Sequence, residues 1–324
     1  MRILIVKTSS MGDVVHAAPA VSDIAAARPG AQIDWVVEAP FAAIPALHPA
    51  VAQVRPIAWR KWRKRLFRRD TWVAMGECRR ALRTQPYDLV LDLQGLLKSA
   101  LWAAQARGPR AGYDRNSIRE PLASRLYDRV AAVPKDLHAI ERCRRLAAAH
   151  VGYAMPSTPP RFGLVAPTSA WLPGTPHYAV LIPGASRPEK LWPEADWIAL
   201  GRRLALAGLQ TVVFWGSAQE QARAQRIAAP LGAAVPPFLS VHDAAGVLGH
   251  ARIVVGLDTG FSHLAAALGV ATLGIFCDHE PAQAGITGDG FARSLGGVGQ
   301  VPPLAEVLAL VDEALGRPTG ERHA

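Results

Sequence analysis

The feature that most constrains this fold is a repeated order of short apolar run, small-residue loop and amphipathic stretch. Residues 2–7 (RILIVK) are rich in β-branched side chains, the loop 8–13 follows, and residues 14–27 repeat apolar side chains with helical spacing. Residues 33–38 and 87–95 predict two further strands. Because strands that alternate with helices form parallel sheets covered on both faces, we expect an α/β protein.

The same order begins again after a proline-rich segment at residues 156–176. Its apolar runs are 177–186, 211–216, 252–260 and 271–276, and its predicted helices cover 193–207, 218–229, 262–268 and 302–315. A chain of 324 residues suits two domains. We therefore predict two doubly wound, Rossmann-like domains with ligand sites at the carboxyl ends of their strands, facing a cleft. The predicted boundaries are domains at 1–155 and 177–315, a linker at 156–176 and a tail at 316–324.

Basic side chains are concentrated in the first half of the chain. Residues 1–165 carry 26 Lys and Arg against 13 Asp and Glu, whereas residues 166–324 carry 10 against 13. A drift in genome composition accounts for 30 arginines against 6 lysines, but not for where they lie. Such asymmetry indicates an anionic partner for the first half: nucleic acid, a membrane surface or a phosphorylated substrate.

Cysteine spacing and hydropathy exclude several classes of protein. Cys78, Cys143 and Cys277 are widely spaced and form no CxxC pair, which argues against a disulfide framework and a structural zinc site. The apolar run at the start of the chain is too short for a signal peptide, and no run of about 18 uncharged apolar residues follows. We expect a protein of the reducing cytoplasm that is at most peripheral to a membrane.

The loop after the first predicted strand carries Ser10, Gly12 and Asp13. Gly12 is expected to permit a sharp backbone turn. Asp13 stands where the next helix begins, so its carboxylate has two interpretations: a helix N-cap, or a base that accepts a proton from a substrate hydroxyl. The chain has neither GxGxxG nor GxxxxGK[ST], so this loop does not predict nucleotide binding.

Two loops of the second half suit an anion. Residues 256–263 (GLDTGFSH) end a strand and open a helix, where small residues and the helix dipole favour a phosphate; the alternative is an ordinary turn capped by Ser262. Lys190 is the only lysine after residue 165 and lies in the loop 183–192. It would offset the charge of a departing phosphate, or it is a solvated loop lysine.

A basic segment at residues 60–69 holds seven cations in ten positions, interleaved with Trp62 and Phe67. A solvated helix face is the ordinary interpretation of such a run. The aromatic side chains would also suit a membrane interface or a sugar contact. The case for nucleic-acid binding rests on charge alone, because the sequence has no helix-turn-helix, RNP motif or zinc finger.

Several segments together resemble the lipopolysaccharide heptosyltransferase I family. They are MRILIVKTSSMGDVVHAAPA, DWVVE, RKWRK, LDLQGLLKSA, REPLASRLYDR, EKLWPEADW, FWGSAQE and LDTGFSHLAAAL. The match runs in order from Met1 to about Ile286, and the KTSSMGD opening and the DTGxSH loop are its most specific parts.

The resemblance implies a glycosyltransferase B fold and inverting transfer of heptose from ADP-L-glycero-β-D-manno-heptose to the inner Kdo of Kdo2-lipid A. It implies no further cofactor and no metal site. The implied partners are Kdo2-lipid A and the anionic cytoplasmic face of the inner membrane, and not nucleic acid.

The resemblance also assigns residues. Asp13 would be the general base, and Lys190 would stabilise the leaving ADP. The implied acceptor-binding residues are Ser10, Gly12, Arg60, Arg63, Lys64 and Arg119. The implied donor-binding residues are Ser186, Lys190, Glu220, Leu239, Asp258, Thr259, Gly260 and His263, with Glu220 on the ribose.

Two positions depart from the family pattern. Ala185-Ser186 stands where the family commonly has two adjacent hydroxyl residues, so one expected pyrophosphate contact lacks its usual hydroxyl. Leu239 replaces a Met of similar volume on the adenine side. Alternatives outside the family are a nicotinamide oxidoreductase, which lacks its glycine fingerprint here, and a non-catalytic module that binds nucleic acid or membrane. A different ADP- or UDP-sugar transferase, or a sugar-nucleotide epimerase of the same fold, is a further alternative.

Overall fold

The computed structural model describes residues 1–316, which divide into two compact units. The first unit is Met1–Gly163 and the second begins at Leu164, so the division falls inside the proline-rich segment. Of the tail predicted at 316–324, all but Gly316 lies outside the described residues. None of the helices within residues 1–316 is long and apolar enough to cross a bilayer.

The first unit is built on a parallel sheet of six strands. They are β1 (Arg2–Val6), β2 (Gln32–Glu38), β3 (Val51–Ile57), β4 (Leu89–Asp92), β5 (Arg110–Tyr113) and β6 (Arg129–Ala131). Their order is β3-β2-β1-β4-β5-β6, and β1 and β4 are buried. After β1, the strands β2 and β3 are added on one side of it, and β4, β5 and β6 are added on the other. The order therefore reverses between β1 and β4, which is where open α/β sheets bind ligands.

Short helices cover this sheet. They are α1 (Met11–Val15), α2 (Ala18–Ala27), α3 (Ala43–Ala46), α4 (Trp59–Trp62), α5 (Arg69–Arg83), α6 (Leu97–Ala103) and α7 (Ala139–Val151), with 3-10 turns at Ala39–Phe41 and Pro121–Leu126. A buried ion pair of 2.7 Å between Arg144 Nε and Asp23 Oδ2 joins α7 to α2. Tryptophans Trp62 and Trp102 pack at 5.6 Å between ring centroids and join α4 to α6.

The second unit has a parallel sheet of five strands. They are β7 (Tyr178–Ile182), β8 (Gln210–Val213), β9 (Ile253–Leu257), β10 (Ala271–Phe276) and β11 (Ala292–Gly296), in the order β11-β10-β9-β7-β8. Its helices are α8 (Glu194–Leu206), α9 (Ala218–Ala228), α10 (Val241–Gly249), α11 (Gly260–Ala267), α12 (Pro281–Ala284) and α13 (Leu304–Gly316), with 3-10 turns at Pro188–Lys190 and Ala229–Leu231. Here the strand order reverses between β7 and β9.

The prediction of two doubly wound parallel sheets is confirmed. The single helix predicted over 14–27 is wrong, because α1 and α2 are separated at His16 and Ala17. A continuous helix would need a backbone N–H at Pro19, the second residue of α2, and proline has none. The sequence did not predict β3, β5, β6 and β11, which lie at or next to sheet edges. Edge strands such as β3, with Arg55 and Pro56, lack the apolar run of a central strand.

Candidate functional site

The first candidate site lies at the carboxyl ends of β1 and β4. A cavity of about 240 Å³, the polar pocket, opens there. Its lining residues are Lys7, Ser9, Ser10, Asp13, Arg60, Gln94, Leu96, Lys98 and Arg119. Four of the nine carry a positive charge and one a negative charge, so the pocket favours an anionic ligand beside a single carboxylate.

Asp13 is the third residue of α1 and not its N-cap. Ser10 precedes the helix, and its backbone N–H and hydroxyl donate hydrogen bonds of 2.8 and 2.9 Å to Asp13 Oδ2. Asp13 therefore completes a capping box and also lines the polar pocket. Gly12 is the second residue of α1, and its φ is not positive. The prediction of a sharp turn at Gly12 is therefore wrong, because the residue is already helical.

Two residues that the sequence did not single out organise this pocket. Gln94, just after β4, accepts hydrogen bonds from Thr8 and donates one of 2.9 Å to Ser9 O, so it fixes the loop that carries Ser10. Lys98 Nζ donates a 2.7 Å hydrogen bond to Ser9 Oγ. Burial and the charge of Arg60 lower the pKa of the Lys98 ammonium. The signal for both was the LDLQGLLKSA segment, which begins in the last two residues of β4, the strand that pairs with β1.

The four implied acceptor cations do not all reach the polar pocket. Arg60, in α4, and Arg119 line it, whereas Arg63 and Lys64 follow α4 and are exposed. Arg60 is positioned by a hydrogen bond of 3.1 Å from its N–H to Glu38 Oε1, and its guanidinium lies 5.4 Å from the ring centroid of Phe41. Burial of Glu38 raises the pKa of its carboxyl group, which the Arg60 hydrogen bond partly offsets.

The second candidate site lies at the carboxyl ends of β7 and β9. Lys190 Nζ and Asp258 Oδ2 are 2.7 Å apart, with side chains that are 15% and 16% exposed, so Lys190 is not a solvated loop lysine. His263 Nε2 lies 3.5 Å from Asp258 Oδ1. Burial would raise the pKa of Asp258, but the hydrogen bonds from His263 and Lys190 and the charge of Lys190 prevail and lower it to about 2. The carboxylate holds the ammonium at the start of α11.

The N-cap of α11 is not Ser262, the residue that the sequence offered for that role. Thr259 is the N-cap and Gly260 the first helical residue, whereas Ser262 is buried and donates a 2.7 Å hydrogen bond to Leu257 O. Capping by Ser262 is therefore wrong. Ser186 is exposed on the loop that leads from β7 to Lys190.

Glu220 lies next to the loop that follows β7. It belongs to the first turn of α9, and its Oε2 accepts a 2.7 Å hydrogen bond from the backbone N–H of Gly216. A Cβ at Gly184 would stand 2.7 Å from Glu220 Cδ, so glycine permits the close approach of this loop to the carboxylate. The structure thus brings Glu220 to the segment that carries Ser186.

Leu239 is half-buried in the segment before α10. The aromatic neighbours of that segment are Trp215 and Phe238, with ring centroids 5.7 Å apart, and Trp215 Nε1 donates a 2.8 Å hydrogen bond to Pro236 O. The assignment of Leu239 to the adenine side rests on the resemblance alone. Among residues 1–316, no group of three or more His, Cys, Asp or Glu side chains is arranged to hold a metal ion.

Comparison with known proteins identifies the family. The model of glycosyltransferase family 9 (heptosyltransferase) matches residues 75–299. The chain is similar to lipopolysaccharide heptosyltransferase 1 of Pseudomonas aeruginosa, with 48% identity over 315 residues that cover 95% of this chain and 86% of that protein.

Two solved structures of E. coli heptosyltransferase WaaC match at 38% identity. The structure with ADP has a TM-score of 0.91 and covers 97% of this chain and 100% of that one. The structure with ADP-2-deoxy-2-fluoro heptose has a TM-score of 0.84, covering 97% and 98%. These matches confirm that the chain is a glycosyltransferase of lipopolysaccharide synthesis, as the resemblance implied. The chain belongs to glycosyltransferase family 9, the heptosyltransferases.

Proposed function

We propose that the chain transfers L-glycero-D-manno-heptose from ADP-L-glycero-β-D-manno-heptose to the inner Kdo of Kdo2-lipid A, with inversion at the anomeric carbon. The observation that carries this proposal is the chemistry at the two strand-order reversals. The first unit has a cationic pocket with one carboxylate, and the second has a lysine held at the start of a helix. The relative WaaC was solved with ADP and with an ADP-heptose analogue, which supports the choice of donor.

The acceptor side is the polar pocket. Kdo carries a carboxylate and lipid A carries phosphates, and Lys7, Arg60, Lys98 and Arg119 supply positive charge around Asp13. Asp13 removes the proton from the acceptor hydroxyl as its oxygen attacks the anomeric carbon. The new glycosidic bond forms while the bond to the ADP oxygen breaks, and the proton stays on Asp13 until solvent takes it. A single displacement of this kind inverts the configuration.

The donor side lies in the second unit. The Lys190 ammonium and the backbone N–H groups at the start of α11 offset the pyrophosphate charge that grows as ADP leaves. Asp258 holds Lys190 in place and is itself in contact with His263, with Thr259 and Gly260 at the helix start. Ser186 contributes a hydroxyl to the pyrophosphate. We assign the ribose to Glu220 and the adenine to Leu239. Because Lys190 supplies the counter-charge, we expect ADP release to continue in EDTA.

The test is ADP release in a reaction that contains the enzyme, ADP-heptose and Kdo2-lipid A. We expect release only when donor and acceptor are both present, together with an acceptor mass increased by one heptose. Consumption of ADP-heptose without acceptor would contradict the proposal and favour an epimerase. Release with ADP-heptose and a different acceptor sugar, but not with Kdo, would contradict the choice of acceptor.

We also propose that the enzyme works at the cytoplasmic face of the inner membrane as a peripheral protein. The support is the basic segment 60–69, whose cations and whose Leu66 and Phe67 are exposed, although Trp62 is buried. Cations combined with apolar side chains favour an anionic lipid surface.

A further inference from the structure

A second cavity of the first unit, the apolar groove, adjoins the polar pocket. It has a volume of about 470 Å³ and is formed by α4, α5 and α6. Its principal lining residues are Trp59, Trp72, Met75, Arg79, Leu101 and Trp102. Trp102 forms the floor and is only 6% exposed, whereas Trp72 and Leu101 on the walls are 58% and 46% exposed. A groove of this size with exposed apolar walls is a mark of a binding surface.

Two polar side chains of the groove form hydrogen bonds within the chain. Trp72 Nε1 donates a 2.7 Å hydrogen bond to Leu66 O, and the amide of Gln105, which also lines the groove, donates one of 3.0 Å to Leu101 O. The Trp72 indole N–H and one N–H of the Gln105 amide are thus paired within the chain. Because most of the remaining lining is apolar, a hydrocarbon chain gains by leaving water for this groove.

The groove and the polar pocket share one residue. Lys98 lines both, with its ammonium hydrogen-bonded to Ser9 on the polar side. Arg79 is exposed in the wall of the groove, and the basic segment 60–69 connects α4 to α5. The two cavities therefore suit one amphiphile with an anionic head and an apolar tail. Lysine is suited to such a boundary because its methylene stem packs on apolar groups while its ammonium stays polar.

We infer that the apolar groove binds an acyl chain of the lipid acceptor while the acceptor's anionic sugar occupies the polar pocket. This inference rests on the proposed function, which makes the acceptor a lipid-linked sugar. Charge complementarity favours this occupant over a second copy of the chain, because two copies would bring two basic surfaces together. Seating the acyl chain beside Lys98 fixes the orientation of the sugar relative to Asp13.

The test compares two acceptors that differ only in the chain. One is a Kdo-bearing glucosamine disaccharide bisphosphate with a single N-linked decanoyl chain, and the other is the same molecule without it. The dissociation constants of both are measured by calorimetry below the aggregation concentration. Because each buried methylene is worth about fourfold in affinity, we expect the decanoyl acceptor to bind at least about tenfold more tightly.

Leu101→Gln and Met75→Gln place an amide in the groove. We expect each to reduce the preference for the decanoyl acceptor about tenfold. Two variants are used because either alone could disturb folding, which circular dichroism monitors. The matched control is Leu206→Gln, at the end of α8 in the second unit, where the leucine is 85% exposed. The control is expected to keep the wild-type preference.

Equal affinity of the wild type for the two acceptors would overturn the inference. It would also be overturned if both groove variants kept the wild-type preference for the decanoyl acceptor. A loss of binding to acceptor-free phosphatidylglycerol vesicles as large as the loss for the decanoyl acceptor would identify a membrane contact instead. A changed sedimentation coefficient in Leu101→Gln would identify an interface between copies. ADP release is recorded separately with the same acceptors. Its absence despite a tenfold binding preference would contradict the proposed catalysis and leave the groove assignment intact.

Discussion

At the scale of single residues, Asp13 completes the capping box of a helix and is also the proposed base. Its Oδ2 accepts both hydrogen bonds from Ser10, which anchors it at the start of α1 beside the polar pocket. A carboxylate fixed in this way presents its other oxygen to a substrate hydroxyl with little freedom to rotate. If Asp13 is the base, as proposed, the capping contacts favour catalysis because they orient its carboxylate before the substrate arrives.

Asp13→Asn is expected to lower kcat by about 10²–10⁴, the usual effect of losing a positioned general base. ADP affinity, measured by calorimetry, is expected to stay unchanged because the second unit is not altered. Ser10→Ala serves as the control, since it removes the hydroxyl contact but keeps the carboxylate, and it should cost far less in kcat. Wild-type turnover in Asp13→Asn would contradict the assignment of the base.

Lys190→Ala is expected to weaken ADP-heptose binding and to slow turnover as well. In the proposed function the ammonium stabilises the pyrophosphate of the bound donor and the greater charge of the departing ADP, so both steps would lose stabilisation. The measurements are the calorimetric Kd for ADP and the single-turnover rate at saturating donor. A change confined to acceptor KM would show that Lys190 does not contact the pyrophosphate.

Asp258 should contribute to stability in a pH-dependent way. Its pKa is about 2 in the folded protein against 3.8 as the ordinary value, so its ionised form is favoured by folding. The contribution, about 2 kcal/mol, is complete above the ordinary pKa and is lost as the pH falls towards 2. Urea unfolding of the wild type and Asp258→Asn should therefore differ at pH 6 and converge near pH 2. A constant difference over this range would contradict the ion pair.

At the scale of elements, the segment around α4 concentrates positive charge on one surface. Neutralising Arg60, Arg63 and Lys64 to Gln together is expected to raise the acceptor KM about tenfold, because each exposed ionic contact is worth up to about 1 kcal/mol. The Kd for ADP should not change. Steady-state kinetics with Kdo2-lipid A and calorimetry with ADP make the two measurements.

A charge-matched control separates local contacts from net charge. Arg115, Arg125 and Arg129 are exposed in the same unit, towards the β6 edge of the sheet, and neutralising these three removes the same charge. We expect this variant to keep the wild-type acceptor KM. An equal loss in both triple variants would mean that only the total charge matters.

The sequence predicts some strands and misses others, and the difference has a physical cause. Central strands such as β1 and β9 were predicted because burial on both faces leaves an apolar run, and the loops after them located Asp13 and Asp258. The edge strand β3 was missed because Gln53, Arg55 and Pro56 interrupt its apolar residues, and all but Ile57 are at least partly exposed. Lys98 and Gln94 were missed for another reason. Their place beside Asp13 follows from the pairing of β4 with β1, which local sequence patterns do not encode.

At the scale of the whole molecule, the charge surplus follows the division into units. The first unit, Met1–Gly163, contains the whole excess of 13 positive charges, and the second carries more acidic than basic residues. The proposed ligands differ in the same way. The acceptor carries several anionic groups across a wide surface, whereas ADP presents one pyrophosphate to Lys190 and the start of α11. Electrostatic attraction should therefore govern acceptor binding more than donor binding.

Ionic strength offers a test of this difference in the intact enzyme. Raising it from about 0.05 M to about 0.5 M shortens the Debye length severalfold and screens exposed charges much more than partly buried ones. We expect the KM of the acyl-free Kdo acceptor to rise about tenfold and that of ADP-heptose to change by less than about threefold. The acyl-free acceptor is chosen so that lipid aggregation does not vary with salt. Neutralising Arg60, Arg63 and Lys64 should flatten the acceptor response, and equal salt responses of donor and acceptor would contradict the proposed division of labour between the two units.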